Sequence, residues 1–106
     1  MAGSKAPSRK TVERAFRRFV ELVKPIPQVH HVVAFDDHGG DIFTLIERRD
    51  LEVCKAVFNK EDQVMDEIPE LESAFHVIYL EGRPLEEHIH TLPRLVFSRR
   101  SIDADD

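Results

Sequence analysis

The sequence predicts a mixed α/β (α+β) domain: a small sheet of three or four strands packed by two or three helices. Two stretches with helical apolar spacing alternate with three apolar runs of strand length, in the order α-β-β-α-β-α with room for a final β. The length, 106 residues, suits a single core. A long helical stretch between the second and third strands makes that pair parallel, so the sheet is expected to be mixed.

Met1 to Pro7 has no apolar period and reads as a lead-in to a domain over residues 8–98, with a charged tail over 99–106. Ser8 is placed to cap the first helix, its hydroxyl accepting from free N–H groups of the opening turn. Val12, Ala15, Phe16, Phe19, Val20 and Val23 then recur at helical intervals and draw one apolar stripe. Pro25 and Pro27 end the helix, because proline disfavours the α conformation of its predecessor.

Val29 to Phe35, rich in β-branched residues, is the first strand. Asp36-Asp37-His38-Gly39-Gly40-Asp41 is a tight reversal: glycine reaches positive φ freely, and aspartate caps its own turn. Ile42 to Glu47 returns as the second strand of a hairpin. Asp50 caps a second helix running to Ile68, with Leu51, Cys54, Val57, Phe58, Val64, Met65 and Ile68 as its apolar positions and Glu61 as the interruption.

Ala74 to Leu80 is the third strand and the most apolar. With Phe75, Val77 and Tyr79 on one face and Ile78 and Leu80 on the other, it is expected at the centre of the sheet. Glu81-Gly82-Arg83-Pro84 turns the chain into a short helix reaching His90, and Leu95-Val96-Phe97 reads as an edge strand.

Several function classes lack their signals. No apolar run is long enough to span a bilayer, and no apolar stretch follows the basic N-terminal residues as in a signal peptide. Cys54 is the single cysteine, which leaves neither a disulfide framework nor a cysteine zinc site within one chain. These observations point to a cytoplasmic protein without membrane contact. Cys54 falls on an apolar stripe, Ser73 and Ser98 lie in no nucleophile motif, and no phosphate loop is present.

Charge is unevenly placed. Residues 1–24 carry seven basic side chains against Glu13 and Glu21, within a chain whose net charge is −5. Lys10, Arg14, Arg17 and Arg18 form a basic ridge on the polar side of the first helix, a candidate interaction face. The ridge has no aromatic residue for base stacking and the domain is acidic overall, so nucleic acid is not the expected partner. Glu67, Glu70 and Glu72 are candidate acidic partners within the same chain.

The loop residues Asp36, Asp37, His38 and Asp41, with Glu47 and His76 near them, are the candidate ligands of a divalent cation, since hard cations take clustered carboxylate oxygens. The same Asp and Gly residues are also the best turn formers, and that simpler role comes first. A zinc site from His31, His38 and His76 requires the first and third strands to be neighbours. Over residues 10–80 the element order is similar to the minimal nucleotidyltransferase fold, with Gly39-Gly40 standing for that family's Gly-Ser pair and Asp41-Ile42-Phe43 for its Asp-x-Asp. Phe43 replaces the second aspartate and no Asp lies on Ala74 to Leu80, so the resemblance implies a topology and no transfer activity.

The expected function is a non-catalytic interaction or regulatory module without a cofactor. It would bind a partner protein or a second copy through the first helix or an edge strand. The alternative is a divalent-metal or nucleotide-binding domain built on Asp36, Asp37, His38, Asp41 and His76.

Overall fold

The structure, a computed structural model, describes residues 9–35, 40–71 and 74–99. Its elements are α1 (Arg9–Val23), β1 (Val29–Ala34), β2 (Ile42–Ile46), α2 (Leu51–Glu67), β3 (Phe75–Tyr79), a 3-10 turn (Leu85–Glu87) and β4 (Leu95–Ser98). The sheet is mixed, in the order β3-β2-β1-β4: β1 is antiparallel to β2 and β4, and β2 is parallel to β3. The described residues thus form an α+β fold with two helices and a four-stranded open sheet. No described helix is long and apolar enough to cross a membrane.

The stripe on α1 buries as its spacing requires, with Val12, Ala15, Phe16, Phe19 and Val23 facing inward. They meet Val29, Val32 and Ala34 of β1, Ile42 and Ile46 of β2, and Val53, Cys54, Val57 and Val64 of α2 in one core. Both helices therefore cover the same face of the sheet. A register shift between Val29 and His31, where one extra residue bulges, lets Val29 and Val32 both turn toward the helices. Asp50 caps α2 as expected, its carboxylate accepting from Glu52 N at 3.0 Å and Val53 N at 3.2 Å.

Several expectations need correction. β3 is an edge strand, outermost beside β2. Its double-sided apolar pattern arises because Phe75, Val77 and Tyr79 pack into the helix-covered core, Phe75 against Phe19 of α1, while the chain after β3 covers Ile78 and Leu80. The crossover through α2 delivers β3 to the free edge of β2, and β1's remaining edge is taken by β4. On α2, Leu51, Phe58 and Met65 are exposed, whereas Val53 and the interrupting Glu61 are buried. The helix turns toward α1 and the sheet together, a direction that the local apolar count does not contain.

Two contacts pin the hairpin and the chain end. Gly40 has φ +71°, and a β-carbon there would lie 2.8 Å from Val12 Cγ2, so the hairpin passes directly under α1. Arg99, which the sequence places in the charged tail, donates from Nε to Val29 O and from Nη2 to Lys24 O and Ile26 O, at 2.9 to 3.0 Å. It ties the turn after α1 to the start of β1. The expected short helix to His90 is only the 3-10 turn Leu85–Glu87. Ser8, Asp36, Asp37, His38, Gly39, Glu72 and Ser73 lie outside the described residues, as do residues 1–7 and 100–106.

Candidate functional site

Among the described residues, the second face of the sheet has no α-helix. Val33 of β1, Leu45 of β2 and Leu80 are buried there, with Phe35, Phe43, Ile78, Leu85 and Ile89 half-buried against them. Side chains alternate along a strand, so the face opposite α1 and α2 receives every second residue. Its cover is the irregular segment after β3, launched by a left-handed turn at Glu81 (φ +54°) and Gly82 (φ +78°) that Arg83 N closes onto Leu80 O at 3.0 Å.

Between this segment and the strands lies an open cleft of about 420 Å³, lined by Phe35, Asp41, Phe43, Ile78, His88, Ile89, His90 and Thr91. Ile89, His90 and Thr91 also border a second hollow of about 470 Å³ that runs on to Leu92 and Val96. Phe35 and Phe43 meet edge to face at 5.5 Å, and the His76 ring stacks on Phe43 at 4.5 Å. The floor is therefore aromatic and rigid, with its polar groups at the rim.

Asp41 and His76, distant in sequence, come together at that rim. His76 Nε2 lies 3.2 Å from Asp41 Oδ2, and Ala74 N donates to Asp41 Oδ1 at 3.2 Å. The carboxylate thereby ties the start of β2 to the start of β3 and accepts from His76 Nε2. His88 Nε2 donates to Leu80 O at 2.9 Å, which ties the segment after β3 back to the end of that strand. Glu47 Oε2 accepts from Gly82 N at 2.6 Å and so holds the left-handed turn.

Of the other candidate cation ligands, Asp36, Asp37 and His38 lie outside the described residues. Among the described residues, no three His, Cys, Asp or Glu side chains converge as a metal site. The zinc arrangement fails on topology. β2 separates β1 from β3, and His31 aligns with Leu45 and Ile78 while His76 aligns with Phe43 and Val33. His31 instead shares a hydrogen bond with Ser98 Oγ through Nδ1 at 2.9 Å, and burial, helped by His30, lowers its pKa.

The basic ridge of α1 faces the acidic end of α2. Arg14 pairs with Glu70 at 2.7 Å; Arg18 grips Glu67 with two nitrogens at 2.8 and 3.1 Å and reaches Glu21 at 3.2 Å. Arg17 lies 3.5 Å from Glu13, and Lys10 is exposed. The hydrogen bonds from Arg18 and then Gln63 draw the Glu67 carboxyl down to about 2. Two of the ridge's four side chains, Arg14 and Arg18, thus form a seam with the end of α2.

Phe43, Ile78 and Ile89, which build the cleft, have a faint signal in sequence. Phe35, Phe43 and Ile78 keep strand alternation, but which face the helices leave open is a tertiary fact. Comparisons with protein-family models, with curated proteins and with solved structures found no match to this chain.

Proposed function

We propose that the chain is a cytoplasmic, non-catalytic interaction module that holds an apolar group of its ligand in the cleft on the helix-free face. The observation that supports this reading is an aromatic floor of Phe35 and Phe43, walled by Ile78 and Ile89 and, among the described residues, covered by an irregular segment. Its volume of about 420 Å³ falls in the range of small-molecule sites. Nucleic acid is not the proposed partner, because Arg14 and Arg18 are engaged by Glu70 and Glu67. The test is an NMR titration with small aromatic and branched aliphatic fragments. Shifts are expected at Phe35, Phe43, Ile78 and Ile89, and their loss is expected in Ile89→Glu, which sets a charge over the apolar floor. Fragments that leave these resonances still, or bind the variant equally well, refute the reading.

A second reading is favoured by the Asp41–His76 contact at the same rim. It is a divalent-metal or nucleotide-binding domain with a nucleotidyltransferase-like order of elements, using Asp36, Asp37 and His38 besides that pair. A ligand held only by the folded chain raises its melting temperature by mass action. Magnesium, manganese or zinc, alone or with a nucleoside triphosphate, should then raise the melt, and Asp41→Asn should abolish the rise. A melt unmoved by all of them removes this reading.

A further inference from the structure

We propose that the chain forms a two-fold symmetric dimer through the outer edge of β3 and an exposed apolar row of α2 that lies beside it. This surface shares β3 with the cleft wall, where Ile78 lies, and the inference does not rest on the proposed function.

The two edges of the sheet differ in protection. β3 reads Phe-His-Val-Ile-Tyr, with continuous register to β2 and no Asp, Glu, Lys, Arg, proline, glycine or bulge along it. β4 is four residues long and stands between Pro93, Arg94 and Arg99. A flat apolar edge presents unpaired N–H and C=O groups to any passing strand, and folded proteins blunt such edges with charge, proline or a cover. Among the described residues, nothing pairs with the outer edge of β3.

The helix above it is apolar on the matching side. Leu51, Phe58 and Met65 are 63%, 48% and 40% exposed. Seven residues apart, they form one row that drifts only about 20° per step. Glu67, about half a turn round the helix from Phe58, points at Arg18 of α1. Cys54, about 40° from the row, meets the Tyr79 hydroxyl of β3 at 3.9 Å. The row therefore lies on the β3 side of α2, away from α1.

The occupant is identified by self-complementarity. A two-fold axis demands that residue i meet j while j meets i. About Phe58, an antiparallel second copy of α2 sets Leu51 against Met65, and Phe58 against itself. Lys55, three residues before the centre, then comes within reach of the second copy's Asp62, four residues after it. Apolar matches apolar along the row, and one cation–anion pair, repeated by the two-fold, flanks its centre. About Val77, an antiparallel β3 pairs Phe75 with Tyr79 and His76 with Ile78, with no like charges opposed. An unrelated partner would require no such symmetry on either element. The resulting eight-stranded sheet leaves the helix-free face, and so the cleft, open.

The full chain is expected to sediment as a dimer at micromolar concentration, with slow amide exchange over Phe75–Tyr79 that becomes faster on dilution. Phe58→Lys, on an exposed position, should weaken the dimer at least about tenfold while circular dichroism stays unchanged. Lys55→Glu and Asp62→Lys should each weaken it several-fold, and the double exchange should restore it. That rescue distinguishes a paired interface from loss of folding or from unspecific apolar association. A monomer at every concentration, a dimer indifferent to Phe58→Lys, or a double exchange that fails to restore association overturns the proposal.

Discussion

The two faces of the sheet are finished by different physics. On one, α1 lays a complete apolar stripe on the strands and α2 one interrupted by the buried Glu61, and Phe19, Val23, Val32, Ile42, Val57 and Val64 have essentially no exposure. On the other, three buried residues are ringed by half-buried ones beneath an irregular segment. The first face should carry the stability, and the second should carry the recognition. Regular helices exclude water over a wide area, whereas an irregular cover leaves hollows between its side chains.

The largest effect expected from that contrast is at Phe19. Phe19→Ala removes a fully buried ring that also meets Phe75 at 5.1 Å, and should cost about 3–5 kcal/mol in urea unfolding. Phe43→Ala on the open face, where the ring is only half-buried, should cost about 1–2 kcal/mol and remove fragment binding. Equal losses at the two positions would break the division of labour.

The helix-covered layer also contains polar atoms without partners, Thr44 Oγ1 and Glu61 Oε2. Glu61 is 8% exposed, and burial, with a contribution from Asp62, pushes its carboxyl up to about 7 from 4.5. The folded chain therefore holds this proton more tightly than the unfolded chain, so stability falls as pH rises from about 4.5 to 7 and is level above. The whole change is at most about 3 kcal/mol. Glu61→Gln should flatten this slope and raise the urea midpoint at pH 8. Glu67 has the opposite sign: its folded value is drawn down to about 2, so the seam with Arg18 stabilises above pH 4.5 and is lost as pH falls toward 2. If the variant retains the neutral-range slope, Glu61 is not its source.

Gly40 and Gly82 sharpen the comparison at smaller magnitude, since each opens a path onto one face. Gly40→Ala combines a left-handed backbone with a β-carbon driven into Val12, and should cost about 2–3 kcal/mol. A β-carbon at Gly82 would have no atom within 4 Å, so Gly82→Ala should cost only the conformational strain, about 1 kcal/mol. Matching losses would mean that α1 yields freely over the hairpin.

What could be read from sequence was local in origin. The stripe of α1, the hairpin strands and the cap at Asp50 each depend on residues within a few positions of one another, and each forms as its spacing requires. The place of β3 depends on which edge the crossover reaches, and an apolar strand looks alike at the centre of a sheet and under two covers. The exposure of Phe58 and the burial of Glu61 follow from the direction in which α2 leans on α1, through Arg18–Glu67 and Arg14–Glu70. At the cleft, Asp41 was visible as a turn residue and His76 as an imidazole in an apolar strand. Their contact needs the parallel register that sets Phe43 beside His76. Arg99 was hidden in a charged run whose other members say nothing about the carbonyls it reaches.

The smallest expected effect concerns the turn that launches the open-face cover. Glu81 holds φ +54° although it carries a β-carbon, and its side chain is exposed. A left-handed residue other than glycine costs about 1–2 kcal/mol, which Glu81→Gly would release. Glycine also widens the unfolded ensemble, which offsets about half of that gain. The net outcome should be a rise of about 0.5–1 kcal/mol in unfolding free energy, with the m-value unchanged. The turn's own bonds, Glu81 N to Glu47 O at 2.7 Å and Gly82 N to the Glu47 carboxylate, involve the backbone and survive the change. Fragment affinity should therefore stay the same while stability rises. If affinity falls with the substitution, the left-handed glutamate is strain held in place for binding, and the open face uses it to aim the segment that forms the cleft.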